Sequence, residues 1–366
     1  MSAKQSMMNS KNQNTKWVSV LTVLSCVAVV YLHVNAIYWL HPDGIVWYTS
    51  NFIECLFYFA VPCFFMLSGY TLLDYRQRYN TMLFLKKRFA RVFVPFFVWS
   101  VLYYLVYNDM HFNTDFWSRF LHCKIEYTFY FFYQILFCYL SMIYFSLIPN
   151  KILCFKWLSV CCFIIFSVLP FLDKAKLLNV PDLQIFFYLQ PLLFCFLGYF
   201  LGNTNLSLKQ RTFIYVLGFI GFLFHYFGTA FLSYPTGEIN QFFKGYYNFP
   251  SVFYATAIFV WCKYHNWDFI FKSETSKSLF NKVLSCSLSI YLVHIMIVYH
   301  TLPAVFGYFG INNYPIQSFT YRIIAPLVII LIICYLITFS AKILPMHLHF
   351  LLGYKNVTPV KKEYSR

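Results

Sequence analysis

Long apolar stretches separated by short polar breaks dominate this chain. Ten of them reach or approach the ~17–25 residues needed to cross a hydrocarbon core. They run over 17–40, 47–73, 89–107, 127–148, 152–171, 185–202, 212–233, 246–262, 282–302 and 323–344. The pattern predicts an all-α, polytopic membrane bundle of about ten helices. The eighth run is short enough to be tilted, broken or re-entrant. A polar leader (1–16) precedes the membrane domain (17–345), and a basic tail (346–366) follows it. The first run is too long for a signal-peptide core and lacks a small-residue cleavage pattern, so it reads as a retained helix. The breaks are too short to hide a separate soluble domain.

Composition agrees with this pattern. Of the 366 residues 60% are hydrophobic and 11% charged, against roughly 25% charged in soluble domains. Position explains the formal charge of +16. With the N-terminus in the cytoplasm, most Lys and Arg fall in inner segments, including Lys16, Arg76, Arg88, Arg91, Lys151, Lys263, Lys282 and Lys342. The outer segments keep few cations, among them Lys244 and Arg322. This positive-inside bias predicts both termini on the cytoplasmic side and leaves no basic stripe for nucleic acid. The 12 Cys lie almost all in apolar runs and, apart from adjacent Cys161 and Cys162, show no pairing of a metal or disulfide kind; they read as small hydrophobes, and no metal is expected.

An ionisable group at membrane depth costs at least a few kcal/mol, which makes each one a functional candidate. His33, Glu54, His225 and His294 qualify. His33 and Glu54 each lie about ten residues from the turn near Asp43 and Gly44, so an antiparallel hairpin sets them at similar depth. A carboxylate there would orient the imidazole and raise its basicity for proton removal; interhelical glue is the plainer alternative. His294 follows Tyr291 by nearly one turn in a segment of small hydroxylated residues. With Arg322 these two are expected at the acceptor side or a second site. His225 has only apolar and aromatic neighbours and reads as core. Arg88 and Arg91, three apart on one face, suit either lipid headgroups or the phosphates of a nucleotide-like donor. Pro62 and Pro95 are positioned to kink their helices.

Several segments together resemble the acyltransferase-3 membrane superfamily, in its surface-polysaccharide O-acyltransferase branch. They are Val29-Val-Tyr-Leu-His33, Val61-Pro-Cys-Phe-Phe-Met-Leu-Ser-Gly69, the block from Lys87 to Phe96, the segment from Phe194 to Gly202, Ser289-Ile-Tyr-Leu-Val-His294 and the closing stretch from Leu344 to Gly353. The resemblance implies a ten-helix enzyme of the bacterial plasma membrane. It would move an acetyl group from acetyl-CoA, a co-substrate and not a resident cofactor, to a hydroxyl of a cell-envelope glycan or its lipid-linked precursor. His33 matches the family's first-helix histidine, and Arg88 and Arg91 its donor-side basic motif. Two positions depart: Thr22 stands where family members carry an Arg, and Thr128 and Tyr130 where many carry a His and a Trp.

The expected mechanism has His33, oriented by Glu54, deprotonating the glycan hydroxyl while Arg88 and Arg91 hold the donor roughly 15–20 Å away. The pantetheine arm or an acyl-enzyme relay, with Cys26 as its conceivable nucleophile, would close that distance. A flippase for a lipid-linked glycan, or a catalytically degenerate family member, would also need intramembrane polar groups.

Overall fold

The computed structural model describes residues 3–41, 44–180, 187–310 and 315–355, with side chains from residue 16 onward. Asp43 and most of the basic tail lie outside the described residues. The described residues form helices and turns without strands. Eight helical stretches are long and apolar enough to cross a membrane. The sixth and eighth predicted runs are also helical but shorter, at Leu192–Asn203 and Phe249–Tyr264.

The first helix, α1 (Ala3–Val34), is the axis of the bundle. It packs on α2 (Ile45–Phe57), α3 (Ala60–Leu72), the Phe249–Tyr264 helix, the helix Ser287–Met296 and the last helix, Phe319–Ile343. The most apolar window of the first span is 67% buried, against 22% for the span Leu208–Ser233. The exposed remainder of that peripheral span is apolar, with Phe213, Phe219, Phe227 and Phe231 facing outward. Such an outer surface suits lipid and not water.

Proline accounts for several of the interruptions in the long runs. It supplies no N–H and its ring collides with the carbonyl four residues back. Pro62 follows the break between α2 and α3 by a few residues, and its i−4 carbonyl is that of Tyr58, the C-cap of α2. Pro95, Pro170 and Pro303 each sit two residues beyond a wide π turn, at Phe89–Phe93, Ile164–Val168 and Ile297–Thr301 respectively. Each turn contains the i−4 position, so the helix widens instead of ending. The first of these joins α4 (Thr81–Arg88) to α5 (Val94–Tyr107) and carries Arg91. The remaining helices used below are α6 (Tyr130–Phe145), α7 (Lys151–Phe163), α8 (Leu192–Asn203), α9 (Leu208–Leu223), α10 (Phe249–Tyr264), α11 (Ser287–Met296) and α12 (Phe319–Ile343).

Short α8 is held by backbone contact. A Cβ on Gly198 would lie 2.1 Å from the Met66 carbonyl oxygen, and one on Gly69 1.9 Å from that of Cys195. Only glycine allows α3 and α8 to approach this closely.

Candidate active site

His33 is the penultimate residue of α1, just before the chain tightens into a 3-10 turn at Ala36–Leu40. Its Nδ1 lies 3.0 Å from the Tyr127 hydroxyl. Its ring centroid is 4.9 Å from that of His294, and its carbonyl accepts a 3.1 Å bond from the Tyr299 hydroxyl. His294 is fully buried on α11, with Nδ1 3.0 Å from the Ile290 carbonyl. A carbonyl only accepts, so Nδ1 carries the proton there and Nε2 is left as an acceptor in the neutral ring. That Nε2 has no hydrogen-bond partner. Two imidazoles and a phenol therefore meet at one depth, one ring half-buried and the other enclosed.

The neighbouring chain is pinned to present Tyr127. Glu126 accepts from the Thr128 amide and hydroxyl, both at 3.2 Å, and from the Tyr107 hydroxyl at 2.6 Å. Tyr291 donates to the Thr128 carbonyl at 3.0 Å. Thr128 is thus a structural joint between α11 and the start of α6. Thr22 turns its hydroxyl back on its own helix, 2.8 Å from the Val18 carbonyl.

Glu54 does not orient His33, contrary to the expectation from depth. Its Oε1 forms a 3.1 Å ion pair with Lys244, and its Oε2 lies 3.5 Å from Asn35 Nδ2. Equal distance from a turn fixes height along two helices and leaves the direction of each side chain open. His33 points toward α11 and Tyr127, whereas Glu54 points toward the loop before α10. Lys244 is buried there, its ammonium 4.1, 4.6 and 5.0 Å from the ring centres of Tyr38, Tyr58 and Trp39. Arg322 is buried too, donating to Ser50 Oγ at 2.7 Å and Thr49 Oγ1 at 2.8 Å, with Asn35 Oδ1 at 3.5 Å. Asn35 links the two clusters, which place Arg322 in the scaffold around the end of α1. His225 is buried against Tyr58, as its apolar surroundings predict.

Arg88 and Arg91 line a cavity of about 460 Å³ at the opposite end of α11. This cavity shares Val92, Ser287 and Leu288 with a narrower one of about 150 Å³, whose apolar and aromatic wall ends on Tyr291. The Tyr291 and His294 rings are 5.8 Å apart. A basic mouth, a smaller and largely apolar neck and an imidazole pair therefore succeed one another in position along α11, while neither His33 nor His294 lines either cavity. Cys26 lines neither cavity; its thiol donates to the Ser287 carbonyl at 3.5 Å.

Compared with known families, residues 15–339 match the acyltransferase domain of the acyltransferase-3 family. The chain belongs to that family. No curated protein and no solved structure matches it. It is thus a multi-pass membrane acyltransferase, and the acyltransferase-3 stretch takes in His33, Glu54, Arg88, Arg91, Tyr291, His294 and Arg322. Sequence reading passed over Tyr127, Lys244 and Asn35. Tyr127 has a faint signal, a tyrosine beside an acid at a helix start. Lys244 has none, since one lysine in an outer loop looks like any other.

Proposed function

We propose that this acyltransferase-3 protein is an O-acetyltransferase of the bacterial plasma membrane, carrying acetyl from cytoplasmic acetyl-CoA to a hydroxyl of a surface polysaccharide or its lipid-linked precursor. One observation supports it above others: the cavity at Arg88 and Arg91 and a smaller one bordered by Tyr291 have Val92, Ser287 and Leu288 in common, and the Tyr291 ring lies 5.8 Å from that of His294, the neighbour of His33. Guanidinium groups at the mouth suit phosphates, and the narrow apolar neck suits an extended pantetheine arm.

In this reading His33 is the base. It takes the proton of the glycan hydroxyl as that oxygen attacks the thioester carbonyl. The C–S bond breaks, the ester forms, and the departing thiolate recovers the proton from the imidazolium. Tyr127 and His294 hold the His33 ring in place. Direct transfer needs no relay, and Cys26, sealed against a carbonyl, is given no part in it.

The test is NMR of the surface polysaccharide, before and after mild alkali, from cells with and without the gene. Base-labile acetyl signals should depend on the gene. His33→Ala should remove them, through a rate loss of about 10²–10⁴-fold, while the membrane abundance of the protein stays unchanged. Full acetylation by a normally expressed H33A would sink the assignment.

A further inference from the structure

After α12, residues Met346–Leu352 form a 3-10 turn that folds back across the start of α11. Gly353 caps it at φ +74°, and a Cβ there would meet the Ser289 amide at 3.1 Å. Two hydrogen bonds fasten this strap: Ser289 Oγ to the Leu352 carbonyl at 2.7 Å, and the Lys355 amide to the Ser285 carbonyl at 3.0 Å. The strap walls the basic cavity opposite the π turn, contributing His349, Tyr354 and Lys355 to its lining. It lies beyond residues 15–339, the stretch matched by the acyltransferase domain.

The electrostatics of that cavity are one-sided. Arg88, Arg91 and Lys355 converge on it, and among the described residues its lining contains no Asp or Glu. Among the described residues, Arg88 Nε is buried without a hydrogen-bond partner, while His349 spends its Nε2 proton on the Leu344 carbonyl at 3.1 Å, which leaves its Nδ1 an acceptor in the neutral ring. The Lys355 ammonium is held below the usual lysine range, first by withdrawal from water and then by the charges of Arg91 and Arg88. Like charges brought together with a spare donor and no carboxylate call for an anion with several oxygens.

We propose that the strap is the second half of a polyphosphate site, with Lys355 as the binding residue that closes on the phosphates of the donor from the side facing Arg88 and Arg91. This rests on reading the cavity as the donor entrance. It assigns to the post-helical segment a share of donor affinity that the family-matched stretch alone does not provide.

The experiment measures binding of coenzyme A, and separately of pyrophosphate, to the full-length protein in nanodiscs of phosphatidylcholine with or without phosphatidylglycerol. Lys355 is fastened to the bundle through its backbone amide, a bond that a side-chain substitution keeps. Lys355→Gln should weaken coenzyme A binding about tenfold, the loss of one charge-assisted hydrogen bond. Lys355→Arg should restore it, and in turnover K355Q should raise the donor KM with kcat little changed. Unchanged affinity in K355Q, alongside a clear loss in Arg91→Gln, would overturn the role of the strap. So would loss of pyrophosphate binding on adding phosphatidylglycerol, which would make the cavity a headgroup seat. Lys355-dependent binding of pyrophosphate with no binding of coenzyme A would keep the anion site and refute the donor reading instead.

Discussion

Glu54 is bound to a cation that arrives from a distant loop, and that fact changes what its removal should do. Lys244 is enclosed by three aromatic rings and has Glu54 as its carboxylate partner. Glu54→Gln leaves a buried ammonium without its counter-charge, which costs about 3–5 kcal/mol. The purified variant should melt well below wild type, and adding Lys244→Met should recover much of the loss. The pH–rate profile of the folded fraction should stay where it was, because Glu54 touches neither His33 nitrogen. A stable E54Q with a displaced profile would restore the carboxylate–imidazole pairing. At this scale the sequence identified which groups were costly to bury, namely His33, Glu54 and His294. It did not identify their partners, since Tyr127 and Lys244 reach them only through folding, across 94 residues in the first case.

Elements follow local rules more faithfully. The apolar runs became helices, and Pro62, Pro95, Pro170 and Pro303 stand at breaks or π turns for a reason that acts within one helical turn, whereas Pro326 is accommodated inside α12. What the runs could not reveal is how deeply α8 is wedged. Its 12 residues cover only about 18 Å, and it holds its place because Gly198 and Gly69 allow direct backbone contact with α3. Gly198→Leu would force the two helices apart at backbone that cannot yield, a larger penalty than the roughly 1–3 kcal/mol of an ordinary overpacked core. Size-exclusion chromatography should show the detergent-solubilised variant as aggregate, whereas a monodisperse peak with the wild-type melting temperature would contradict the packing. Because α3 also lines the apolar neck through Phe64 and Ser68, any displaced but folded fraction should bind donor poorly.

For the whole molecule, the alternation of basic and acidic segments finds a counterpart in contacts between ends. Lys16 pairs with Asp268 at 2.6 Å, Lys151 with Asp74 at 2.7 Å, and Lys263 bonds the carbonyls of Leu201 and Thr204. Each joins segments that the charge pattern assigns to the same side. At the other side Asn35, Arg322, Glu54 and Lys244 meet. With the basic side cytoplasmic, a green fluorescent protein fused after Arg366 should fluoresce, while an alkaline phosphatase fused there should be inactive and one placed in the 234–248 loop active. The reverse pattern would invert the bundle and set the basic mouth on the side away from the cytoplasmic donor proposed above. Hydrophobicity, proline and charge act on the chain through its solvent and its nearest neighbours, so the sequence alone determined the membrane-spanning character, the helices and which charged segments gather at one end of the bundle. The pairing of His33 with Tyr127 and His294, the loss of Glu54 to Lys244 and the closing of the basic mouth by the strap depend on the directions of side chains across packed helices. Those directions exist only once the bundle has formed.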